Sequence, residues 1–197
     1  MNWLRPPGPV ARGLRIGLLG GSFNPAHAGH LYVSEIALKR LSLDYVWWLV
    51  AGQNPLKSAS DMASADKRLV GARALVGRRP RLIVSDLEKT LGTRYTIDTL
   101  KALRRRFPEV QFIWLMGTDN LAQFHRWKRW TEIAALMPIA VIVRPGSVLA
   151  QLNAKAMQRF ARQTRLRKPP AIASVDGRRN EASATAIRSG VRSKGSA

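Results

Sequence analysis

Two histidines stand three residues apart in a glycine-containing segment near the start of the chain, which reads GGSFNPAHAGH over residues 20–30. An apolar run precedes the segment and a helical pattern follows it, so a strand, a loop and a helix are expected in that order. The spacing places His27 and His30 on one side of a helical turn, where both imidazoles can donate to one phosphoryl group. Gly20 and Gly21 would let the backbone turn sharply and approach a ligand, and the helix N-terminus suits an anion.

Other sites that use glycines or histidines fit this segment less well. It lacks the Gly-Lys-Ser/Thr ending of a Walker loop and the G-x-G-x-x-G spacing of a dinucleotide-binding loop. A histidine pair could also bind a metal ion, but a zinc site needs further ligands and none is near in the sequence. The chain has no Cys, which excludes iron–sulfur clusters and thiol nucleophiles. The segment therefore predicts a phosphate site without a protein-held metal.

The elements that would position this site follow from the apolar pattern of the 197 residues. Short apolar runs alternate with segments of helical period, which indicates an α/β fold with a doubly wound parallel sheet, similar to the Rossmann fold. Ligands of such folds bind at the carboxyl ends of the strands. The pattern predicts strands over residues 14–20, 44–51, 81–87, 110–116, 139–143 and 169–175, helices over 29–41, 65–76, 96–107, 147–164 and 182–191, and helical segments over 120–137.

Composition divides the chain into three parts. Residues 1–13 are rich in Pro, Gly and Arg and predict a flexible leader, residues 14–191 a single domain, and residues 192–197 a flexible tail. The longest apolar runs are far shorter than the roughly 20 residues that span a bilayer, so no membrane partner is expected. The first residues do not have the pattern of a secretory signal, and a cytoplasmic protein is expected.

The formal net charge of +21 predicts affinity for polyanions, which include nucleic acids, phosphorylated metabolites and anionic lipids. Basic clusters at residues 104–106, 165–168 and 178–179 motivate one alternative, a nucleic-acid-binding module. The affinity of such a module would fall steeply with salt, whereas turnover of a small substrate would respond much less. A nucleic-acid partner is not the favoured prediction, because the phosphate motifs point to a smaller ligand.

The motif G-G-S-F-N-P-x-H-x-G-H resembles the signature of the nucleotidyltransferase superfamily, which shares its H-x-G-H element with class I aminoacyl-tRNA synthetases. Near the other end of the chain, residues 183–188 read SATAIR and resemble the S-S-T-x-I-R motif of that superfamily. Ala184 stands where the family usually has Ser, and Ala182 where it often has Ile. These departures leave one hydroxyl contact open and keep Thr185 and Arg188.

The middle of the chain resembles the bacterial nicotinate-nucleotide adenylyltransferases within that superfamily. The resemblance is carried by NPLK at residues 54–57, YTIDTL at 95–100, MGTDN at 116–120 and HRWKRW at 125–130. It covers about residues 14–191. It implies transfer of the adenylyl group of ATP to nicotinate mononucleotide, giving deamido-NAD and pyrophosphate in NAD biosynthesis, with Mg²⁺ bound to ATP.

The resemblance also implies the site residues. Its catalytic residues would be His27, His30 and Arg188. Contacts to ATP would come from these three residues and from Gly20, Gly21, Ser22, Phe23, Ser183, Thr185 and Ile187. Contacts to nicotinate mononucleotide would come from Asn24, Lys57, Tyr95, Thr96, Gly117, Asp119 and Trp127. Among these, Trp127 would stack on the pyridine ring and the Thr96 backbone amide would bind its carboxylate. The attacking group is already a phosphate, so the chemistry requires placement and charge neutralisation more than a strong base.

Ordinary structural roles are the alternative for several of these residues. Lys57 could be a solvated loop residue, Asp119 the N-cap of the next helix, and Trp127 a plain helix residue. Trp130 is expected in the core, and His125 is expected either in a structural position or behind the residues that contact the substrates. A sister transferase that acts on nicotinamide mononucleotide, phosphopantetheine or another phosphate is the closest functional alternative. The sequence leaves the oligomeric state open.

Overall fold

A computed structural model describes residues 5–52, 62–143, 154–160 and 169–176. Six parallel strands form one sheet in the order β3-β2-β1-β4-β5-β6. This is the strand order of doubly wound folds, in which the chain changes direction between β1 and β4 and leaves a crevice at their carboxyl ends. The strands are β1 Arg15–Gly21, β2 Tyr45–Val50, β3 Leu82–Ser85, β4 Gln111–Gly117, β5 Ile139–Val143 and β6 Ile172–Asp176.

Helices connect the strands. Their ends show the expected capping: α2 begins where the Ser64 side chain accepts a hydrogen bond from the backbone N–H of Lys67, and it ends at Gly77, which has φ +56°. The helices in the described ranges are α1 Ala28–Arg40, α2 Ala65–Val76, α3 Leu87–Leu91, α4 Thr96–Arg106, α5 Thr118–Phe124, α6 Trp130–Leu136 and α7 Lys155–Phe160. None of them is both long and apolar enough to cross a membrane.

Both faces of the sheet are buried, which is why the strands are almost continuously apolar. On one face, Leu18 and Trp114 pack with apolar residues of α3, α4, α5 and α6. On the other face, Leu19 and Trp48 pack with apolar residues of α1 and α2. Successive side chains of β1 therefore supply the two cores in turn, and the sheet fixes where its own carboxyl edge lies.

The predicted doubly wound parallel sheet is confirmed, with differences in detail. Helix α3 was not expected, because residues 81–87 were predicted to be one strand, whereas β3 ends at Ser85. The helical segments predicted over 120–137 are α5 and α6, separated by a turn, and α5 begins two residues earlier than predicted, at Thr118. Within the predicted helix 147–164, the structure describes residues 154–160, and these contain α7. The predicted helix 182–191 lies outside the described residues. Within the predicted leader, Val10 packs against the core and the Gly13 N–H donates to the Glu109 carbonyl at 3.0 Å.

Candidate active site

A cavity of about 680 Å³ lies at the carboxyl ends of β1 and β4. Its walls come from the segment after β1, the start of α1, the start of α4 and the turn between α5 and α6. Every predicted site residue within the described ranges lines this cavity: Gly20, Gly21, Ser22, Phe23, Asn24, His27, His30, Tyr95, Thr96, Gly117, Asp119 and Trp127. The other predicted site residues, Lys57, Ser183, Thr185, Ile187 and Arg188, lie outside the described residues.

The two histidines together form the cap of α1. His27 is the N-cap, and its Nδ1 accepts a hydrogen bond from the Gly29 backbone N–H at 3.1 Å. The His27 backbone N–H donates in return to Nδ1 of His30 at 3.2 Å, and the ring centroids are 4.0 Å apart. This reciprocal arrangement corresponds to a capping box with imidazoles in place of the usual hydroxyl and carboxylate.

The capping bonds decide where each imidazole carries its hydrogen. A nitrogen that accepts a hydrogen bond has no proton, so the neutral form of each ring is protonated at Nε2. His27 and His30 therefore both have an Nε2–H donor in a wall of the cavity. The α1 N-terminus adds the positive end of a 13-residue helix at the same place.

The backbone before α1 turns at a different residue from the one expected. Gly20 and Gly21 end β1, and among the described glycines a positive φ occurs at Gly13, Gly77 and Gly92. The positive φ in this segment belongs to Phe23, at +48°. Gly20 is small for a packing reason: a Cβ there would lie 2.3 Å from the Trp114 ring. The prediction that the glycines form the turn is therefore wrong, because both belong to β1 and Phe23 has the positive φ. The absence of a side chain at Gly20 instead leaves space for the buried Trp114 indole.

Aromatic packing and one buried hydrogen-bond chain fix the position of His30. The Phe23 ring stacks on Trp48 at 5.0 Å and contacts the His30 ring at 4.6 Å. The Trp48 indole N–H donates to the Ser34 hydroxyl at 2.7 Å, and that hydroxyl donates to the His30 carbonyl at 2.9 Å. Strand β2 thus holds the first turns of α1 in place, because buried hydrogen bonds are costly to break.

Trp127 lies in the turn between α5 and α6 and not on a helix. Its half-buried ring packs edge-on against Trp114 at 6.0 Å and Phe124 at 5.5 Å. Trp130 is the first residue of α6, contacts Phe124 and Phe160, and is outside the cavity lining. The helical spacing expected between the two tryptophans is therefore wrong, although their expected separation into cavity wall and core packing agrees with the structure.

An ion pair stabilises the turn that carries Trp127. Arg129 has φ +56°, and its guanidinium donates to both oxygens of the Glu132 carboxylate at 2.6 Å. Lys101 of α4 donates to the same carboxylate at 3.1 Å. These hydrogen bonds, from Arg129 first and Lys101 second, lower the pKa of Glu132 to about 2. The turn is therefore tied to both α6 and α4.

Further cavity residues were not predicted as site residues. Three of them, Arg94, Arg126 and Lys128, add positive charge to the walls. Another, Glu88 of α3, is 8% exposed, and burial raises its pKa to about 7. In the sequence Glu88 directly follows the predicted strand 81–87, a signal that is too weak to single it out.

Asp119 and His125 have positions that bear on their alternative roles. The N-cap of α5 is Gly117, so Asp119 lies in the first helical turn and the N-cap alternative for it is wrong. His125 is the C-cap of α5 and is outside the cavity lining, as a structural residue would be.

The cavity wall offers two carboxylates, Asp119 and Glu88, as metal ligands. Within the described part of the chain, no group of three or more His, Asp or Glu residues could hold a metal ion. This donor set fits an ion such as Mg²⁺, which keeps several waters and takes most of its oxygens from substrate phosphates.

Comparisons with known proteins place this chain in a family. The family model described as "Cytidylyltransferase-like" matches residues 18–190. A protein of Parvibaculum lavamentivorans named "Probable nicotinate-nucleotide adenylyltransferase" is 52% identical over 89% of this chain and 92% of its own length. A protein of Agrobacterium fabrum with the same name is 48% identical over 88% of this chain and 97% of its own length.

Solved structures give the same fold. The nicotinic acid mononucleotide adenylyltransferase of Plasmodium falciparum, complexed with NaAD, superposes with a TM-score of 0.63 at 17% identity and covers 83% of this chain and 75% of its own chain. This likeness concerns the fold, and the identity to the bacterial proteins carries the family assignment. The chain belongs to the cytidylyltransferase-like family and, within it, to the nicotinate-nucleotide adenylyltransferases.

Proposed function

We propose that this protein transfers the adenylyl group of ATP to nicotinate mononucleotide, giving deamido-NAD and pyrophosphate. One observation carries the proposal: the histidine-capped start of α1 and the Trp127 ring line the same cavity. A phosphate-binding wall and an aromatic wall in one cavity suit a reaction that joins two nucleotides. The names of relatives about 50% identical to the chain support the same reaction.

The chemistry is a displacement at phosphorus. An oxygen of the mononucleotide phosphate attacks the α-phosphorus of ATP, the bond from that phosphorus to the bridging oxygen breaks, and pyrophosphate leaves with the electron pair. No proton has to be removed from the attacking phosphate oxygen. The protein therefore has to align the two phosphates and neutralise their charge.

The start of α1 would act on the phosphates of ATP. The Nε2–H groups of His27 and His30 and the first backbone N–H groups of the helix are donors, and they would stabilise charge that develops on the α-phosphoryl oxygens. Among the residues outside the described ranges, Thr185 and Arg188 would hold the phosphates from another side, and Lys57 would reach a substrate phosphate. Asp119, whose carboxylate lies in the wall, would help to hold the Mg²⁺ of ATP, and that ion would supply further charge neutralisation when bound.

The other wall would bind the mononucleotide. Trp127 presents an indole for stacking on the pyridine ring. No side chain in the described ranges caps α4, so the N-terminal amides of this helix, that of Thr96 among them, suit the pyridine carboxylate. The Lys128 ammonium lies in the same wall. An acid is favoured over an amide here, because a carboxylate pairs with both cations and N–H donors.

Turnover by the purified protein tests the proposal. With ATP, Mg²⁺ and nicotinate mononucleotide we expect deamido-NAD and pyrophosphate in equal amounts, and we expect EDTA to abolish both. Competition between equal concentrations of nicotinate and nicotinamide mononucleotide then separates the acid-specific enzyme from its sister transferase. A folded sample that forms no dinucleotide from either substrate would contradict the proposal.

A further inference from the structure

Arg68 of α2 is a buried cation at the point where three loop segments meet. Its side chain is 3% exposed. Within the described residues no carboxylate forms an ion pair with it, and its guanidinium donates instead to backbone carbonyls. The guanidinium donates to the carbonyls of Ser22 at 2.6 Å, Ala51 at 2.7 Å, Gly52 at 2.7 Å and Ala63 at 2.9 Å.

The four carbonyls belong to segments that surround the phosphate end of the cavity. Ser22 follows β1 and lines the cavity, as does Ala51 at the end of β2. Ala63 precedes α2, and its backbone N–H donates to the Asn24 side chain at 3.2 Å. The planar guanidinium thus joins the segment after β1 to the ends of two neighbouring elements through donors of fixed direction.

The burial of an unpaired guanidinium has a high free-energy cost if its role is only to stabilise the fold. Burying a charge without an opposite charge costs more than apolar packing of the same volume, and desolvation accordingly lowers the pKa of Arg68. The guanidinium nevertheless stays protonated, because the pKa of arginine lies far above neutrality. A permanent positive charge therefore lies behind Ser22, on the side of the cavity where the histidine-capped helix begins.

We propose that Arg68 is a positioning residue for nucleotide triphosphate binding. Its hydrogen bonds hold residues 22–24 in the position that lets the start of α1 contact the phosphates. Its positive charge makes that end of the cavity more favourable for a polyanion. The inference rests on the proposed function for the identity of the anion, ATP.

Two substitutions separate geometry from charge. Arg68→Lys keeps the charge but cannot direct donors to four carbonyls, and Arg68→Met removes both. We expect the KM for ATP to rise about tenfold in Arg68→Lys and more in Arg68→Met, with a lower kcat. The KM for nicotinate mononucleotide should rise much less, because Asn24 is the one residue of the segment 22–24 that is assigned to that substrate. Arg73→Met is the matched control, because Arg73 is exposed on the same helix.

Calorimetric titration with ATP, and with inorganic tripolyphosphate, keeps the test independent of turnover. We expect both ligands to bind the Arg68 variants at least tenfold more weakly than the unaltered protein. Equal losses for ATP and mononucleotide, or normal ATP affinity in folded Arg68→Met, would overturn the inference. So would failure of Arg68→Lys to fold, since Arg68 would then belong to the folding core. If the unaltered protein bound ATP without using nicotinate mononucleotide, the proposed function alone would fail.

Discussion

The Lys128 ammonium lies over the ring of Tyr95, 3.9 Å from its centroid. Lys128 belongs to the turn that carries Trp127, and Tyr95 precedes the first residue of α4. This cation–π contact joins the two segments that we assign to the mononucleotide and holds a positive charge beside the uncapped end of α4. We therefore expect Lys128 to pair with the anionic group on the pyridine ring.

Replacing Lys128 by Met should raise the KM for nicotinate mononucleotide about five- to tenfold, as expected for loss of one charged contact. The KM for nicotinamide mononucleotide should change less, because that substrate lacks the ring carboxylate. Steady-state kinetics with both substrates measure the difference. Lys89→Met is the control, since Lys89 pairs with Asp66 outside the cavity lining. Equal changes for both substrates would mean that Lys128 acts on the phosphate or on the turn.

The capping geometry of the histidines allows variants that keep the fold and remove the donor. In His27→Asn and His30→Asn, the side-chain oxygen can replace Nδ1 as the acceptor, but no N–H remains at the position of Nε2. At position 27, the N-cap of α1, Asn is also a favoured residue. We expect kcat to fall about 100-fold or more in either variant, with a nearly unchanged melting temperature. The corresponding Ala variants should lose the same activity and also some stability. Near-normal kcat in an Asn variant would show that its histidine only caps α1.

The two tryptophans of the α5–α6 region should have different phenotypes. Trp127→Ala removes an aromatic face from the cavity, so the KM for nicotinate mononucleotide should rise about tenfold while the KM for ATP stays normal. Trp130→Ala removes packing against Phe124 and Phe160 and should instead lower the free energy of unfolding by about 2 kcal/mol. Both KM values and a denaturant titration check the pair. If Trp130→Ala and not Trp127→Ala raised the KM for nicotinate mononucleotide, Trp130 would be the residue that stacks on the pyridine ring.

Glu88 should make stability depend on pH. Its folded pKa of about 7 lies above the ordinary value of 4.5, so the unfolded chain loses this proton first as pH rises. The free energy of unfolding therefore decreases between pH 4.5 and about 7, and the loss then stays constant. Glu88→Gln should remove this decrease and should be more stable than the unaltered protein at pH 8 by about 1 kcal/mol or more.

Denaturant titrations at pH 4.5 and pH 8 measure the Glu88 effect, and the two proteins should differ mainly at the higher pH. The control is Glu109→Gln, because the Glu109 carboxylate is exposed and pairs with exposed Arg12. A constant difference between the Glu88 variant and the unaltered protein at both pH values would contradict the prediction.

The sequence by itself determined the alternation of strands and helices and the segment that contains the two histidines. Strands buried on both faces need nearly continuous apolar runs, and helices need an apolar period, so both are visible locally. Helix α2 has the predicted bounds for this reason. Short elements could not be predicted in this way. Helix α3 has five residues, which are too few to show a period, and Trp127 lies in a turn in which Arg129 adopts a left-handed conformation.

Only the tertiary structure decided which residues meet. The order of the strands puts β1 beside β4, although nearly 90 residues separate them. It thereby brings the two histidines that cap α1 into one cavity with Thr96 and Trp127. Burial of Glu88 and the four carbonyls around Arg68 likewise depend on packing between segments distant in sequence. Such contacts leave no local period or spacing in the chain, because hydrogen bonds to backbone carbonyls and the desolvation of a carboxylate depend on position in space, not on neighbouring residue types.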